Sequence, residues 1–142
     1  MALIVRDVMT SRPVTLPVDA PVVTAAKMMR DQGIGDVLVT EDDGRLCGLV
    51  TDRDIVIRAV AEARDISLTP IGALCSSDVV TVTPDQDLAV VLTLMRSNAI
   101  RRVPVVDEER GEPVGIVTLG DMALEAEPRS VLSDISAAPP NA

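Results

Sequence analysis

One short stretch of the sequence occurs twice, first as Gly48-Leu49-Val50-Thr51-Asp52-Arg53-Asp54 and again as Gly115-Ile116-Val117-Thr118-Leu119-Gly120-Asp121. Each copy places two aliphatic residues after a glycine, which is typical of a buried strand. Each then places a threonine three residues before an aspartate, a spacing that favours the first turn of a helix. The sequence therefore predicts the same strand-to-helix corner in two places.

The repeat extends to both sides of this corner. Matching residues are 66 positions apart before the hairpin turn, as Thr15 and Thr81 are, and 67 apart after it, as Asp54 and Asp121 are. Each copy reads as strand, helix, strand, strand, helix. We predict an α/β (α+β) fold of two tandem β-α-β-β-α repeats. Repeat 1 takes residues 1–66 with an N-terminal helical segment, repeat 2 takes residues 67–128, and a C-terminal turn and flexible tail take residues 129–142.

Hydrophobic spacing also predicts the individual elements. In the first copy we expect a helix between Pro21 and Gly33. We also expect a helix from residue 52 to about residue 62, with four residues facing inward: Ile55, Val56, Ala59 and Val60. In the second copy we expect a strand at residues 79–82. A capping box in residues 83–86 then predicts a helix with Pro84 at its first position.

The composition of the 142-residue chain argues against several functions. With no histidine and only two cysteines, we expect no catalytic residues and no metal site. The formal net charge of −9 argues against nucleic acid, whose binding requires a basic surface. No apolar run approaches the roughly 20 residues that a membrane helix needs, and no signal peptide is evident. We therefore expect no membrane contact and a cytoplasmic location.

The doubled corner, together with Ile100-Arg101-Arg102-Val103-Pro104-Val105-Val106, resembles a CBS-domain pair, also called a Bateman module. The likeness runs from Asp7 to about residue 125, and it is greatest to small stand-alone pairs of the hypoxic-response type. It implies two repeats packed about a pseudo-twofold axis, with clefts between them that bind adenosine-containing ligands such as AMP, ADP, ATP, NAD(H) or S-adenosylmethionine. It also implies pairing into a homodimer and no required cofactor.

The resemblance implies which residues contact such a ligand. In the better site, in repeat 2, they are Val80, Thr81, Ile100, Arg101, Arg102, Val103, Pro104, Thr118 and Asp121. In a weaker site, in repeat 1, they are Val14, Thr15, Ile34, Gly35, Thr51, Arg53 and Asp54. The first site is expected to be weaker because Gly35 and Asp36 stand where the second copy has Arg101 and Arg102.

The chemistry of the corner has two interpretations. A carboxylate in the first helical turn can accept hydrogen bonds from a ribose diol, as an acidic residue does in dinucleotide folds, and helix N–H groups can meet a phosphate. The same Thr-x-x-Asp spacing also serves as a capping box without any ligand. The two arginines likewise suit either a ligand or a solvated surface.

The cysteines also have two interpretations. Cys47 aligns with Val114, and Cys75 aligns with Met9. Because both counterparts are apolar, a buried packing role as small hydrophobic residues is favoured over a redox switch. The sequence alone leaves open whether the two sulfurs meet.

Three classes of function follow. The leading hypothesis is a non-enzymatic regulatory module that binds an adenosine-containing ligand. The alternative is a ligand-free scaffold that dimerises or docks on an unidentified protein partner. An enzyme ranks last, because no nucleophile or base with an activating neighbour is evident.

Overall fold

The computed structural model describes residues 3–76, 78–126 and 138. The chain divides into two compact units, one of Val14–Val79 and the other of Met1–Pro13 with Val80–Ala142. Each unit holds one copy of the repeat and one three-stranded sheet. The predicted α+β fold of tandem repeats is therefore confirmed. The predicted turn and tail at residues 129–142 fall almost entirely outside the described residues.

The elements are, in chain order, α1 (Val5–Val8), β1 (Thr10–Ser11), β2 (Thr15–Pro17), α2 (Val22–Gln32), β3 (Asp36–Thr40), β4 (Leu46–Thr51), α3 (Asp52–Ile55), a π-helical turn (Val56–Val60), a 3₁₀ turn (Ile71–Leu74), α4 (Leu88–Asn98), β5 (Arg102–Val106), β6 (Pro113–Thr118) and α5 (Leu119–Ala126). Among the described residues, no helix is long and apolar enough to cross a membrane.

The first-repeat unit has the sheet order β2-β3-β4. Strand β2 runs parallel to β3, and β3 and β4 form an antiparallel hairpin. Helix α2 ends at Gly33, which has a φ of 64° and so adopts the left-handed conformation that glycine accepts without strain. Val22, Ala25 and Met29 of α2 are buried against the sheet, as the helical spacing predicts.

The second-repeat unit has the sheet order β1-β6-β5, so the N-terminal strand completes this sheet. Thr10 pairs with Ile116 in antiparallel register. The preceding helix is fixed to the same unit, because the amide of Val5 donates to the carbonyl of Gln86 and that of Arg6 to the carbonyl of Pro84, both at 2.9 Å. The N-terminal segment, which the sequence analysis grouped with repeat 1, thus packs with the second copy.

The predicted strand at residues 79–82 is reduced to one bridge, between Val82 and Val105. In the first copy the amide of Leu38 donates a 2.9 Å hydrogen bond to the carbonyl of Val14, next to β2. The matching residue in the second copy is Pro104, which has no N–H to donate to Val80. Proline is tolerated there because β5 lies at the edge of its sheet. The prediction of a full strand was wrong for this reason.

Two helical predictions also need correction. Helix α4 begins at Leu88 instead of Pro84, after a turn in which Gln86 Oε1 accepts from the amide of Thr83 at 2.9 Å. In the first copy, Ala61 donates to the carbonyl of Val56 at 2.8 Å, an i to i−5 bond that widens the helix into a π-helical turn. Val56 and Val60 are 58% and 60% exposed, not inward-facing, whereas Ile55 and Ala59 of the same segment are buried.

Candidate ligand site at the repeated corner

The repeated corner is a capping box in both copies. At α5, the amide of Thr118 donates to Asp121 Oδ2 at 3.1 Å, and the amide of Asp121 donates to Thr118 Oγ1 at 3.0 Å. At α3 the matching bonds measure 2.9 Å and 3.1 Å, and the hydroxyl of Thr51 also donates to Asp54 Oδ2 at 3.0 Å. Each aspartate therefore commits one carboxylate oxygen to starting its helix.

The second carboxylate oxygen of Asp54 has a cation beside it. Its Oδ1 lies 3.9 Å from Nε of Arg58, one helical turn further along. Arg58 also donates from Nη1 to the carbonyl of Leu74 at 2.9 Å, so its side chain is held in place. The acid of the first corner is thus already paired within its own unit.

A backbone bond holds Arg101 at the second corner. The amide of Leu119, the first residue of α5, donates to the carbonyl of Arg101 at 2.9 Å. The matching bond in the first copy runs from Asp52 to Gly35 at 3.0 Å. Arg101 is exposed, whereas Arg102 is half-buried and pairs across the sheet with Thr118. Of the two predicted cations, Arg101 is the one presented to solvent beside the start of α5.

A cavity of about 400 Å³ lies on the second-repeat unit next to this bond. Its lining is Leu92, Met95, Arg96, Ala99, Ile100, Arg101 and Leu119. The predicted residues Ile100 and Arg101 therefore share one hollow with Arg96, which the sequence analysis did not single out. Helical spacing places Leu92, Met95 and Arg96 on one face of a predicted helix, but it gives no sign of the cavity that this face forms with Leu119. An apolar hollow with two guanidinium groups suits an anionic ligand that has an apolar part.

The other predicted residues of the second copy lie in the sheet or at its edge. Val103 and Pro104 are buried, and Val103 belongs to the core of its unit. Val80 is half-buried against that core and Thr81 is exposed. Among the described residues, Thr118 and Asp121 are half-buried at the corner and do not line the cavity. Their contacts with a ligand stay a prediction.

The predicted residues of the first copy are also spread over the unit. Val14 and Ile34 are half-buried and pack against the core. Thr15 and Arg53 are exposed, while Gly35 is half-buried beside Asp52. The structure thus brings Gly35 to the Thr51–Asp54 corner, and it leaves the weaker site without a cation at the position of Arg101.

The fold and the repeated corner define a protein made of two α+β repeats of one kind. The family model of the CBS domain matches residues 5–60 and again residues 71–126. The chain therefore belongs to the CBS-domain family, as a tandem pair.

Relatives of similar length support this assignment. The chain is 38% identical over 120 residues to the CBS domain-containing protein YhcV of Bacillus subtilis, covering 84% of this chain and 83% of the relative. It is 33% identical over 132 residues to hypoxic response protein 1 of Mycobacterium tuberculosis, covering 93% and 91%. The predicted likeness to stand-alone pairs of the hypoxic-response type is thus confirmed.

Solved structures show the same fold. The structure of hypoxic response protein I with two coordinated zinc ions superposes with a TM-score of 0.78 at 34% identity, covering 85% of this chain and 97% of that one. The CBS domain pair of protein MJ0100, in complex with 5′-methylthioadenosine and S-adenosylmethionine, superposes with a TM-score of 0.80 at 27% identity, covering 92% and 100%. In the described part of this chain, no group of three or more Cys, Asp or Glu side chains is placed to hold a metal ion.

Proposed function

We propose that this protein is a non-enzymatic regulatory module that binds an adenosine-containing ligand at the corner of its second repeat. The candidate ligands are AMP, ADP, ATP, NAD(H) and S-adenosylmethionine. The observation that carries the proposal is the bond from the Leu119 amide to the Arg101 carbonyl, which places Arg101, an exposed residue, beside the first turn of α5. The adenosyl ligands of the MJ0100 pair support the choice of ligand class.

The corner offers one group for each part of such a ligand. Asp121 Oδ2 accepts the capping bond, and a carboxylate has lone pairs in excess of that bond with which to accept from a ribose hydroxyl. The first-turn N–H groups of α5 and the guanidinium of Arg101 suit a phosphate. Ile100 and Leu119 add apolar surface in the adjoining cavity.

The two copies differ in a way that favours the second. Pro104 cannot donate to the carbonyl of Val80, whereas Leu38 does donate to the matching carbonyl of Val14. Since the sequence has no aromatic residue to stack on adenine, a backbone acceptor of this kind is the group that can recognise the base amine. In the first copy the acid is also paired with Arg58.

A second candidate function rests on the completeness of the capping boxes. Both corners satisfy their helix starts with no ligand present. Val56, Ile57 and Val60 expose an apolar strip on the π-helical turn of the first repeat. These features suit a scaffold in the cytoplasm that forms a homodimer or docks on an unidentified protein, without contact with nucleic acid or membrane. Dimerisation is compatible with ligand binding as well.

Thermal unfolding in the presence of AMP, ADP, ATP, NADH, S-adenosylmethionine and 5′-methylthioadenosine separates the two functions. A ligand at a hundred times its Kd stabilises the fold by about 2.7 kcal/mol, which raises Tm by about 5–10 °C for a chain of this size. Guanosine nucleotides at the same concentrations are the control for charge. If none of the adenosyl compounds raises Tm at millimolar concentration, the scaffold function replaces the sensing function.

A further inference from the structure

Strand β4 carries a β-bulge at Cys47. Thr40 pairs with Leu46 and Val39 with Gly48, so Cys47 is the extra residue on its strand. A bulge redirects the side chain it carries relative to the regular alternation of the strand. Cys47 and Gly48 can therefore face the same neighbouring segment.

That segment is the stretch of chain that follows the 3₁₀ turn Ile71–Leu74. It places Cys75 directly over Gly48 of strand β4. A Cβ atom added to Gly48 would lie 3.1 Å from Cys75 Cβ and 3.2 Å from Cys75 Sγ. The close approach of Cys75 to β4 thus depends on the missing side chain at position 48.

The two thiols meet in this contact. Cys47 and Cys75 are both reduced and half-buried, and each thiol shifts the pKa of the other, so the two side chains lie close together. Glu41 also lies near Cys47, but the described residues place no group of three or more Cys, Asp or Glu side chains where it could hold a metal ion.

The second repeat builds the same contact without sulfur nucleophiles. Val114 is the extra residue at the matching bulge, since Val106 pairs with Pro113 and Val105 with Gly115. A Cβ atom on Gly115 would lie 2.8 Å from Met9 Sδ, so Met9 occupies the place that Cys75 takes in the first repeat. A valine and a methionine are sufficient for packing at this position. The first repeat instead places a dithiol there.

We propose that Cys47 and Cys75 form a reversible intramolecular disulfide, which ties the segment after the 3₁₀ turn to strand β4. The oxidant is a low-molecular-weight disulfide such as oxidised glutathione. The proposal is independent of the ligand site, because both cysteines lie in the first-repeat unit and the better ligand site lies in the second.

The reaction proceeds by two thiol–disulfide exchanges. The Cys47 thiolate attacks one sulfur of oxidised glutathione, forming a mixed disulfide and releasing one glutathione thiolate. The Cys75 thiolate then attacks the Cys47 sulfur, forming the Cys47–Cys75 bond and releasing the second glutathione. Two electrons pass from the protein to the glutathione disulfide, and the two thiol protons pass to the released glutathione molecules.

The order of attack follows from the surroundings of the thiols. Burial raises the pKa of both groups, and it takes that of Cys75 to about 12. Glu41 raises the pKa of Cys47 further, whereas the interaction between the two thiols lowers the pKa of Cys47 and raises that of Cys75. Cys47 therefore supplies the first thiolate, and formation of the bond is slow at neutral pH and faster in alkali.

The disulfide would lie next to the first corner. Leu74, which precedes Cys75, accepts the 2.9 Å hydrogen bond from Arg58, and Arg58 lies beside Asp54. A disulfide at Cys75 consequently restrains the carbonyl of Leu74, which holds Arg58 beside Asp54.

Peptide mapping after oxidation tests the proposal. The full-length protein is incubated with excess oxidised glutathione at pH 8.5 until the products are constant, then alkylated and digested with trypsin without reduction. We expect most of the protein to lose two hydrogens in intact mass and to yield a cross-link between peptides 46–53 and 65–96. Dithiothreitol should restore both thiols.

The matched variants Cys47→Val and Cys75→Met copy the residues of the second repeat. The Cys75→Met protein should accumulate a glutathione adduct on Cys47 in place of the cross-link, and the Cys47→Val protein, which keeps only the less reactive thiol, should form its adduct more slowly. Two results would overturn the proposal. One is a wild-type protein that ends with a separate adduct on each cysteine or with cross-links between molecules. The other is a wild-type protein that keeps both thiols while the urea-unfolded chain is oxidised under the same conditions.

Discussion

The amide of Leu119 donates a 2.9 Å hydrogen bond to the carbonyl oxygen of Arg101, and the matching bond from Asp52 to Gly35 measures 3.0 Å. These bonds fix the residue that precedes β5, or β3 in the first repeat, against the start of the next helix. Whatever side chain stands there is therefore presented beside the Thr-x-x-Asp corner. The two repeats share this geometry, but one presents a guanidinium group and the other presents no side chain.

Replacing Arg101 with Gln should weaken the binding of a ligand that carries a phosphate more than the binding of one that does not. A hydrogen bond to a charged group contributes about 1.5–3 kcal/mol, so we expect the Kd of AMP to rise about tenfold or more. The Kd of adenosine, which lacks the phosphate, should stay nearly constant. Isothermal titration calorimetry with both compounds measures the difference.

The control for this change is Arg110→Gln. Arg110 is an exposed residue at the hairpin turn, so its replacement alters the net charge equally without touching the corner. An equal loss of AMP affinity in both variants would show that the overall charge matters and that Arg101 has no local role.

Replacing Asp121 with Asn should abolish the ligand-dependent rise in Tm. The capping bonds at Thr118 limit the cost to the free protein to about 1 kcal/mol, the usual range for a cap. The matched change Asp54→Asn should cost a similar amount of stability and leave the ligand effect intact. Urea unfolding and thermal shift with AMP, measured on both variants, separate capping from binding. A ligand-dependent shift that survives in the Asp121 variant would assign the corner to capping alone.

The sequence predicts the repeated elements well because their signals are local. The hairpins, the end of α2 at Gly33 and the start of α5 at Leu119 all follow from turn residues and hydrophobic spacing. The pairing of Thr10 with Ile116 could not be predicted in this way, because it joins residues more than a hundred positions apart. The exposure of Val56 and Val60 was missed because hydrophobic spacing groups them with Ile55 and Ala59, and only the packing of the folded unit buries the second pair and leaves the first in solvent.

Only some residues of the candidate site could be predicted from the sequence, for a related reason. The motif identified Thr118 and Asp121, whose capping bonds depend on local spacing. Arg96 was missed because its place in the cavity depends on how α4 packs beside Leu119, which no local pattern encodes. The loss of the strand at residues 79–82 was open to prediction, since a proline at position 104 removes the donor that the strand would need.

Replacing Pro104 with Leu, the residue at the matching position of the first repeat, should raise the free energy of unfolding and lower the affinity for the ligand. The new amide can donate to the carbonyl of Val80 as Leu38 does to that of Val14. Such a bond contributes about 0.5–1.5 kcal/mol to stability. It also occupies the carbonyl oxygen of Val80, which we propose accepts a hydrogen bond from the amine of the base. Urea unfolding measures the first effect, and calorimetry with AMP measures the second.

The reverse change, Leu38→Pro, serves as the control in the first copy. It removes the donor to Val14 and should lower stability without altering the ligand affinity of the second copy. A Pro104→Leu protein that is more stable yet binds AMP with unchanged affinity would remove the Val80 carbonyl from the proposed site.

The buried thiol of Cys75 should make the reduced protein lose stability in alkali. Burial, and next the charge and hydrogen bond of Cys47, raise the pKa of Cys75 from 9.0 to about 12. Because the folded state favours the neutral thiol, this contribution is fully present below pH 9, declines as the pH rises above 9, and is lost by about pH 12. The pKa of Cys47 is raised as well, so Cys47 adds a loss of the same sign in this window, and the chain has no tyrosine that would contribute. Urea unfolding between pH 8 and pH 11 in a phosphine reductant should show a steeper loss for the wild type than for Cys75→Met. Equal slopes would mean that the thiol is as well solvated in the folded chain as in the unfolded one.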